Sequence, residues 1–275
     1  KSSAASDVYK RQVVAIALGL VLIFPVIYCV LGAFKTPAEF LLPRLLPSSF
    51  AYTQNFKDAM HQAPMLRYML NSLIMATLGT VVRLVFSICA AFALTHYEFR
   101  GKNFCFFLIL GTMMMPGDTL LITNYVTVSR LGLLNTYLGM CITGFVSASQ
   151  MFMLRQKFLS VPKDLRHAAM IDGCGPFRIL TSIIIPMCKP GIVTVCMISA
   201  MAAWNEYPVA LVMVTDPTKA TLPVGLANLY EIQRYATDWG ALFAALVLAL
   251  IPTVILFIVG QKQLVQGLSV GGVKG

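Results

Sequence analysis

Residues 68–95 have the sequence YMLNSLIMATLGTVVRLVFSICAAFALT, an apolar run whose one charged residue is Arg83. About 20 apolar residues in an α-helix, each rising 1.5 Å, cross the roughly 30 Å hydrocarbon core of a bilayer. The run is therefore long enough to span a membrane. The number of such runs in the chain decides its fold class.

Five other runs of comparable character lie at residues 13–34, 104–126, 134–154, 191–214 and 239–259. Pro116, Pro208 and Pro252 interrupt three of them, which membrane helices tolerate when neighbouring groups satisfy the freed carbonyls. Only 12% of the 275 residues are charged and the mean hydropathy is +0.77, whereas soluble domains carry about 25% charged residues. We predict an all-α polytopic membrane protein with about six transmembrane helices.

The basic residues predict the orientation of these helices. With the amino terminus inside, thirteen of the 21 lysines and arginines and four of the 11 acidic residues fall in inner segments. Seven of each fall in outer segments, and Arg83 lies within a span. An excess of Lys and Arg marks cytoplasmic loops, so we expect a multi-pass protein of the bacterial plasma membrane with both termini cytoplasmic. This distribution explains the net charge of +10 without a nucleic-acid partner.

The spans organise the chain into three parts. Residues 1–11 lack a starting Met, and we expect them to be a non-native extension without a function of its own. Residues 12–262 form one transmembrane domain with a cytoplasmic loop at 155–190, and residues 263–275 form a cytoplasmic tail. The seven cysteines show neither a C-x-x-C pair nor metal-ligand spacing, so we expect free thiols and no metal site.

The inner loop contains a short helix with its own start and stop signals. Its sequence, VPKDLRHAAMIDGCGPFR at residues 161–178, places Pro162 and Asp164 where they favour a helix N-terminus. Gly173 or Gly175 can end the helix in a left-handed conformation, and Pro176 prevents its continuation. A second helix is predicted for residues 177–186. The alanines give the first helix a flat side that another surface can approach closely.

This loop resembles the EAA loop of ABC importer permeases, on the run from His167-Ala168-Ala169 through Asp172-Gly173 to Pro186 and Pro190. In that family the loop is the coupling helix that fits a groove on the ATPase subunit. The resemblance implies a role in ATPase coupling for six residues: Leu165, His167, Ala168, Ala169, Asp172 and Gly173. His167 stands where the family usually has a glutamate, so the salt bridge of that glutamate with the ATPase is not expected in its ordinary form.

Several other segments resemble the carbohydrate-uptake branch of the family. They are Asn71-Ser72, Met115-Pro116, LGLLNT at 131–136, Trp204-Asn205-Glu206-Tyr207, and the carboxy-terminal stretch 261–275. The resemblance implies a MalG-like member of a permease pair with the type I, MetI-like fold. The implied partners are a MalF-like second permease, two ATP-binding subunits, an extracellular sugar-binding protein and membrane lipid. The chain has no phosphate-loop motif, so ATP–Mg is expected on the partner ATPase, with no cofactor on this chain and no enzymatic activity of its own.

Four residues are candidates for the pathway or ligand: Arg83, Asn205, Glu206 and Tyr207. A charge inside a span marks function by default, but Arg83 can instead be a structural interior residue paired with a backbone carbonyl or with an acid of the partner subunit. We predict a permease subunit of a sugar importer, with oligosaccharide as the cargo. Glycerol phosphate or another polyol or anionic sugar derivative is the alternative that Arg83 favours. A self-contained secondary transporter would show inverted repeats, and a membrane-embedded enzyme would need clustered catalytic residues; neither pattern is evident.

Overall fold

The computed structural model describes residues 2–236 and 238–269, with side chains described in those ranges except at 2–8, 118, 234–236 and 265–269. All regular elements in these ranges are helical. Residues 270–275, the last part of the carboxy-terminal stretch 261–275 named above, lie outside the described residues.

Fourteen α-helices follow one another along the described chain, with 3₁₀ turns at Pro37–Leu41, Gly117–Leu120 and Pro217–Lys219 and a π turn at Leu180–Ile184. The helices are α1 (Ser2–Gly32), α2 (Gln54–Gln62), α3 (Met65–His96), α4 (Lys102–Thr112), α5 (Leu121–Arg130), α6 (Tyr137–Ile142), α7 (Ala148–Leu159), α8 (Lys163–Ile171), α9 (Pro176–Ile179), α10 (Ile185–Met187), α11 (Lys189–Trp204), α12 (Pro208–Met213), α13 (Leu222–Ala236) and α14 (Trp239–Ser269).

Three helices of the described chain are continuous, long and apolar enough to cross a membrane: α3, and the segments Tyr9–Gly32 of α1 and Trp239–Leu264 of α14. They correspond to the first, second and sixth predicted spans. Helix α1 begins at Ser2 because residues 2–11 contain neither Pro nor Gly, so these residues continue the first helix. Helix α14 likewise extends to Ser269, beyond the predicted start of the tail at residue 263.

The third and fourth predicted spans are segmented. In the third, α4 ends at Thr112 and α5 begins at Leu121, because Pro116 has no N–H to donate and its ring clashes with the preceding turn. In the fourth, α6 ends at Ile142 and α7 begins at Ala148, where the Ser147 side chain accepts a hydrogen bond from the Gln150 amide. Pro116 indicated the break in the run at 104–126, whereas nothing in the apolar run at 134–154 indicated the break at 143–147.

The fifth predicted span begins after a sharp bend. The helices over Pro176–Met187 and Lys189–Trp204 meet at 84°, and Pro186 and Pro190 each remove a backbone donor at the bend. By length and composition this bent pair could form a fourth crossing. The span breaks again between Trp204 and Pro208, at the position that the proline predicted.

The chain divides into two compact units, Lys1–Leu66 with Gly225–Ile251 and Arg67–Val224 with Pro252–Gly275. In the first unit, the buried Asn55 donates from Nδ2 to the carbonyls of Ala33 at 2.9 Å and Lys35 at 2.8 Å. These bonds satisfy carbonyls at the end of α1. Gly240 packs directly against Asn55, where a Cβ would overlap the amide.

The second unit has its hydrophobic core around the predicted inner loop at 155–190. The buried side chains of this core cluster are contributed by α3, α7, α8 and the bent helix, and include Phe92, Leu154, Phe158, Ala169, Ile179 and Ile184. Thr194 on α11 donates to the Gln263 carbonyl of α14 at 2.9 Å. Gly260 lies so close to Met197 that no side chain would fit there, so α14 packs tightly on α11.

Segments that the charge pattern assigns to one side of the membrane meet in the second unit. The predicted outer segments meet where the Asn135 side chain accepts hydrogen bonds from the amides of Thr215 and Asp216. The predicted inner segments meet where Arg166 donates to the Thr95 carbonyl. These contacts agree with the predicted alternation of loops, and which side faces the cytoplasm stays a prediction.

Cysteine labelling tests that orientation. In a variant whose native cysteines are replaced, Leu45→Cys and Arg130→Cys should react with a membrane-impermeant maleimide in intact cells. Arg100→Cys and Met170→Cys, which are equally accessible positions, should react only after the membrane is permeabilised. All four residues are exposed on the chain, so the reverse pattern would mean that the orientation is wrong.

Candidate functional site

Helix α8 is a short helix with a defined end in the inner loop. Gly173 has φ +75°, and the amides of Gly173 and Cys174 donate to the carbonyls of Met170 at 3.1 Å and Ala169 at 2.9 Å. This pair of bonds is the Schellman motif, which uses a left-handed glycine to satisfy the last carbonyls of a helix. Of the two glycines proposed for this role, Gly173 fills it. Gly175 instead precedes the next helix, with φ −69°.

One side of α8 is fixed to the second unit. Ala169 is 6% exposed and belongs to the core cluster, where its small side chain allows the helix backbone to approach closely. On the neighbouring turn, Arg166 Nη1 donates to the Thr95 carbonyl at the end of α3, at 3.2 Å. A displacement of α8 would therefore be transmitted directly to α3 and to the core cluster.

The opposite side of α8 is exposed and partly apolar. Successive residues turn by 100°, which places Leu165, Ala168, Ile171 and Asp172 on one face that we call the docking face. Leu165 is 44% exposed and Ile171 is 87% exposed, and Phe177, in the helix that follows, is 78% exposed. An exposed apolar patch on a loop outside the lipid typically marks an interaction site.

The six predicted coupling residues thus separate by position. Leu165, Ala168 and Asp172 lie on the docking face, Gly173 ends the helix, and Ala169 is buried. His167 is exposed, on the side of the helix that carries Lys163 and Met170. The prediction omitted Ile171, which the helical spacing from Ala168 could have identified.

Arg83 lies where the fourth span breaks. Its Nε donates to the Gly144 carbonyl at 2.5 Å, just beyond the end of α6. Carbonyls at a helix C-terminus have no partner within the helix, and an arginine side chain supplies both a donor and a favourable charge there. A Cβ at Gly144 would collide with Arg83 Nη2, so the contact requires glycine.

The segment Trp204–Tyr207 forms the break between α11 and α12. Trp204 is buried, and Asn205 Nδ2 donates to the Met201 carbonyl at 2.9 Å, at the end of α11. Glu206 accepts from the Val209 amide at 3.2 Å, at the start of α12. Glu206 therefore satisfies an amide that the break leaves without a helical partner, whereas Asn205 adds a side-chain hydrogen bond to a carbonyl that its own amide already contacts.

Arg83 and Glu206 line the same small cavity, together with Met75, Gly79 and Thr143 among others. Its volume of about 70 Å³ has room for a few water molecules. Asn205 and Tyr207 are not among its lining residues. Within residues 2–236 and 238–269, no group of three His, Cys, Asp or Glu side chains could hold a metal ion.

A polar connection on the predicted outer side was missed by the sequence analysis. Asn71 Nδ2 donates to the carbonyls of Thr218 and Ala220, and its Oδ1 accepts from the Tyr137 hydroxyl. Asn135, with φ +58°, holds residues 215–216 as described above. Asn tolerates the left-handed conformation better than most other residues with side chains. The asparagine of LGLLNT at 131–136 was therefore the one sequence signal for a turn at this position.

The Arg83 contact leads to a stability prediction. Gly144→Ala should displace the guanidinium and leave a buried carbonyl without its donor, which costs about 1–3 kcal/mol. Arg83→Gln and Arg83→Lys should also lower the thermal unfolding midpoint of the purified protein. Gly111→Ala is the matched control because a Cβ there meets no atom within 4 Å. If Gly144→Ala and Gly111→Ala had equal thermal unfolding midpoints, the contact between Arg83 and Gly144 would not stabilise the fold.

Comparison with known proteins identifies the family. Residues 13–270 match the family described as "Binding-protein-dependent transport system inner membrane component".

The sulfoquinovosyl glycerol permease SmoH of Agrobacterium fabrum is 32% identical, over 92% of this chain and 89% of its own. The arabinooligosaccharide permease AraQ of Halalkalibacterium halodurans is 31% identical, over 94% and 93% of the two chains. In the crystal structure of a bacterial ABC transporter that imports the acidic polysaccharide alginate, one chain superposes with a TM-score of 0.83 at 25% identity, covering 94% of this chain and 97% of that one. These relatives are transport subunits rather than enzymes. The chain therefore belongs to the binding-protein-dependent transport system inner membrane components, the permease subunits of ABC importers with the MetI-like fold.

Proposed function

We propose that this permease forms half of the translocation pathway of a sugar importer and receives the movement of a separate ATPase through the docking face of α8. The observation that carries the coupling role is the exposed apolar surface formed by Leu165, Ala168 and Ile171. The chain lacks a phosphate loop of its own, so the energy of ATP hydrolysis must arrive through a contact of this kind.

The attachment of α8 suits it to transmit force. Its buried side contacts the core cluster through Ala169, and Arg166 ties it to the end of α3. The cluster also contains Ile179 and Ile184 of the bent helix that leads into α11. A shift of the docking face would therefore act on two membrane helices at once, which is what switching between two states of the pathway requires.

The cargo class follows from the relatives. SmoH, AraQ and the alginate importer are each named for a carbohydrate or a glycoside, and this supports a sugar, with oligosaccharide as the expected size. Arg83 donates its Nε–H to the Gly144 carbonyl, so it already has a structural partner within the protein. This favours a structural Arg83 over recognition of a phosphate such as glycerol phosphate.

The proposed assembly contains four kinds of chain. An extracellular binding protein delivers the sugar, as the family description implies. A second, MalF-like permease supplies the other half of the pathway, and two ATP-binding subunits dock on the cytoplasmic loops. Both termini of this chain would face the cytoplasm.

The docking face can be tested by adding bulk to it. Ala168→Arg places a long charged side chain at the centre of the face without disturbing the core, because Ala168 is exposed. We expect the purified variant to insert normally but to lose at least about 90% of ATPase co-purification and of transport-stimulated hydrolysis, which corresponds to about 1.4 kcal/mol or more of binding. Ser160→Arg, an exposed position in the same loop outside the face, is the control. Unchanged coupling in Ala168→Arg would contradict the assignment.

The cargo can be tested with the two Arg83 variants. Uptake of a radiolabelled neutral oligosaccharide and of glycerol phosphate should be compared in cells with wild type, Arg83→Gln and Arg83→Lys. We expect oligosaccharide uptake in the wild type, and variants that lose uptake in proportion to the amount of assembled protein. If the variants assemble normally and only phosphate uptake collapses, the sugar assignment is wrong, because a charge lost from a bidentate phosphate site acts on that substrate selectively.

A further inference from the structure

A second feature of the inner loop lies on the other side of α8. A cavity of about 700 Å³ separates the end of α3 from α8 and from the turn that follows it. Its lining includes His96 and Glu98 from the end of α3, Lys163 and Arg166 from α8, and Gly175 from the turn. We call it the inner cavity. The residues of the docking face do not line it, although His167 and Gly173 of the predicted coupling set do.

The lining of the inner cavity is predominantly cationic. Lys163 and Arg166 form no salt bridge with any carboxylate of the described chain. The one lining carboxylate, Glu98, already pairs with Lys102 at 2.9 Å, and the hydrogen bond and charge of Lys102 lower the pKa of Glu98. The charge of Lys163 also lowers the pKa of Glu98, so two positive charges of α8 face the cavity against one carboxylate that Lys102 already holds.

Two buried nitrogen atoms at the cavity wall have no hydrogen-bond partner: Nδ1 of His96 and Nε of Arg166. The His96 ring stacks on Phe92 with its centroid at 4.6 Å and an interplanar angle of 15°, which fixes the direction of its nitrogen atoms. Arg166 is held through Nη1 on the Thr95 carbonyl. Both atoms lie behind the cavity surface, where a polar group without a partner is costly. A bound anion would be favoured if either side chain turned one of these nitrogens toward it.

The position of the cavity limits the choice of that group. Helix α3 ends at His96, and the next aromatic residues, Tyr97 and Phe99, are 43% and 44% exposed, as in the aromatic belts of a membrane interface. Basic pockets at the cytoplasmic ends of membrane helices suit phosphate-bearing head groups. An arginine beside a lysine matches the geometry and charge of a phosphate.

We propose that the inner cavity binds a phosphate ester anion between His96 of α3 and Lys163 and Arg166 of α8. An anionic phospholipid at the inner leaflet and a soluble metabolite both offer this group to the site, and the test below distinguishes them. A bound phosphate would add a second link between α3 and α8 beside the Arg166–Thr95 hydrogen bond. Because the docking face points away from the cavity, the anion would modulate the mobility of the coupling helix without competing for the docking face.

The test measures anion binding to the purified full chain in detergent. The probes are short-chain phosphatidylglycerol, short-chain phosphatidylcholine and inorganic phosphate, and the readouts are native mass spectrometry and the dissociation constant. The double variant Lys163→Gln/Arg166→Gln should bind phosphatidylglycerol at least about tenfold more weakly than wild type, because two charge-assisted contacts are lost. The control Arg178→Gln/Lys189→Gln removes the same charge from exposed residues of the same loop outside the cavity and should differ from wild type by less than about twofold.

A third variant distinguishes the loss of the binding site from a loss of folded structure. His96→Phe retains an aromatic ring against Phe92 and removes the buried nitrogen, and it should weaken binding while the thermal unfolding midpoint stays within a few degrees of wild type. Binding of phosphatidylglycerol without inorganic phosphate would identify the lipid as the source, and comparable binding of both would identify a soluble ester.

Three results would overturn the proposal. The first is that wild type binds no inorganic phosphate and binds phosphatidylglycerol no more tightly than phosphatidylcholine. The second is that both double variants weaken phosphatidylglycerol binding equally, and the third is that wild type stops binding when the ATPase subunits are added. The last result would mean that an ATPase side chain fills the cavity, and it would leave the docking face of α8 intact as an assignment.

Discussion

Backbone groups inside a bilayer have no water to bind, and this constraint governs where the helices of this permease can break. Each break needs a side chain that replaces the missing helical hydrogen bond. Arg83 supplies one to the Gly144 carbonyl, and Glu206 accepts one from the Val209 amide. The same rule applies to a buried helix start outside the predicted spans, where the Ser72 hydroxyl accepts a hydrogen bond from the Leu222 amide at the start of α13, across 150 residues of sequence. The polar residues of the spans are therefore explained first by the backbone that they satisfy.

The positions of the helix breaks also indicate which helices can move. The segmented third, fourth and fifth spans concentrate their breaks in the second unit, where the cytoplasmic loop is also packed. Helix α8 contacts this unit through Ala169 and Arg166 and leaves its other face exposed. A short rigid helix with one attached side and one free side is suited to carry a movement from a soluble partner into helices that are already divided into segments.

Sequence reasoning succeeded where a local pattern carries the information. Hydropathy alone identified the first, second and sixth spans, and Pro208 marked the break before α12. The glycine cap of α8 followed from Gly173 and its neighbours. The break at Gly144 and the burial of Ala169 could not be predicted, because each depends on a partner distant in sequence: Arg83 in one case and the core cluster in the other. The roles of the six coupling residues therefore separated only when the two sides of α8 were known.

Hydrogen exchange at Leu222 tests the central claim most directly. Ser72 and Ser87 are both buried on α3, but only Ser72 accepts a backbone hydrogen bond, since the Ser87 hydroxyl has no partner. In the lipid-reconstituted protein, Ser72→Ala should speed exchange of the Leu222 amide by at least about tenfold, as expected for the loss of a buried hydrogen bond, and Ser87→Ala should leave it unchanged. If the Leu222 amide were equally protected in both variants, the Ser72 hydroxyl would not be what holds the buried start of α13. That result would contradict this account.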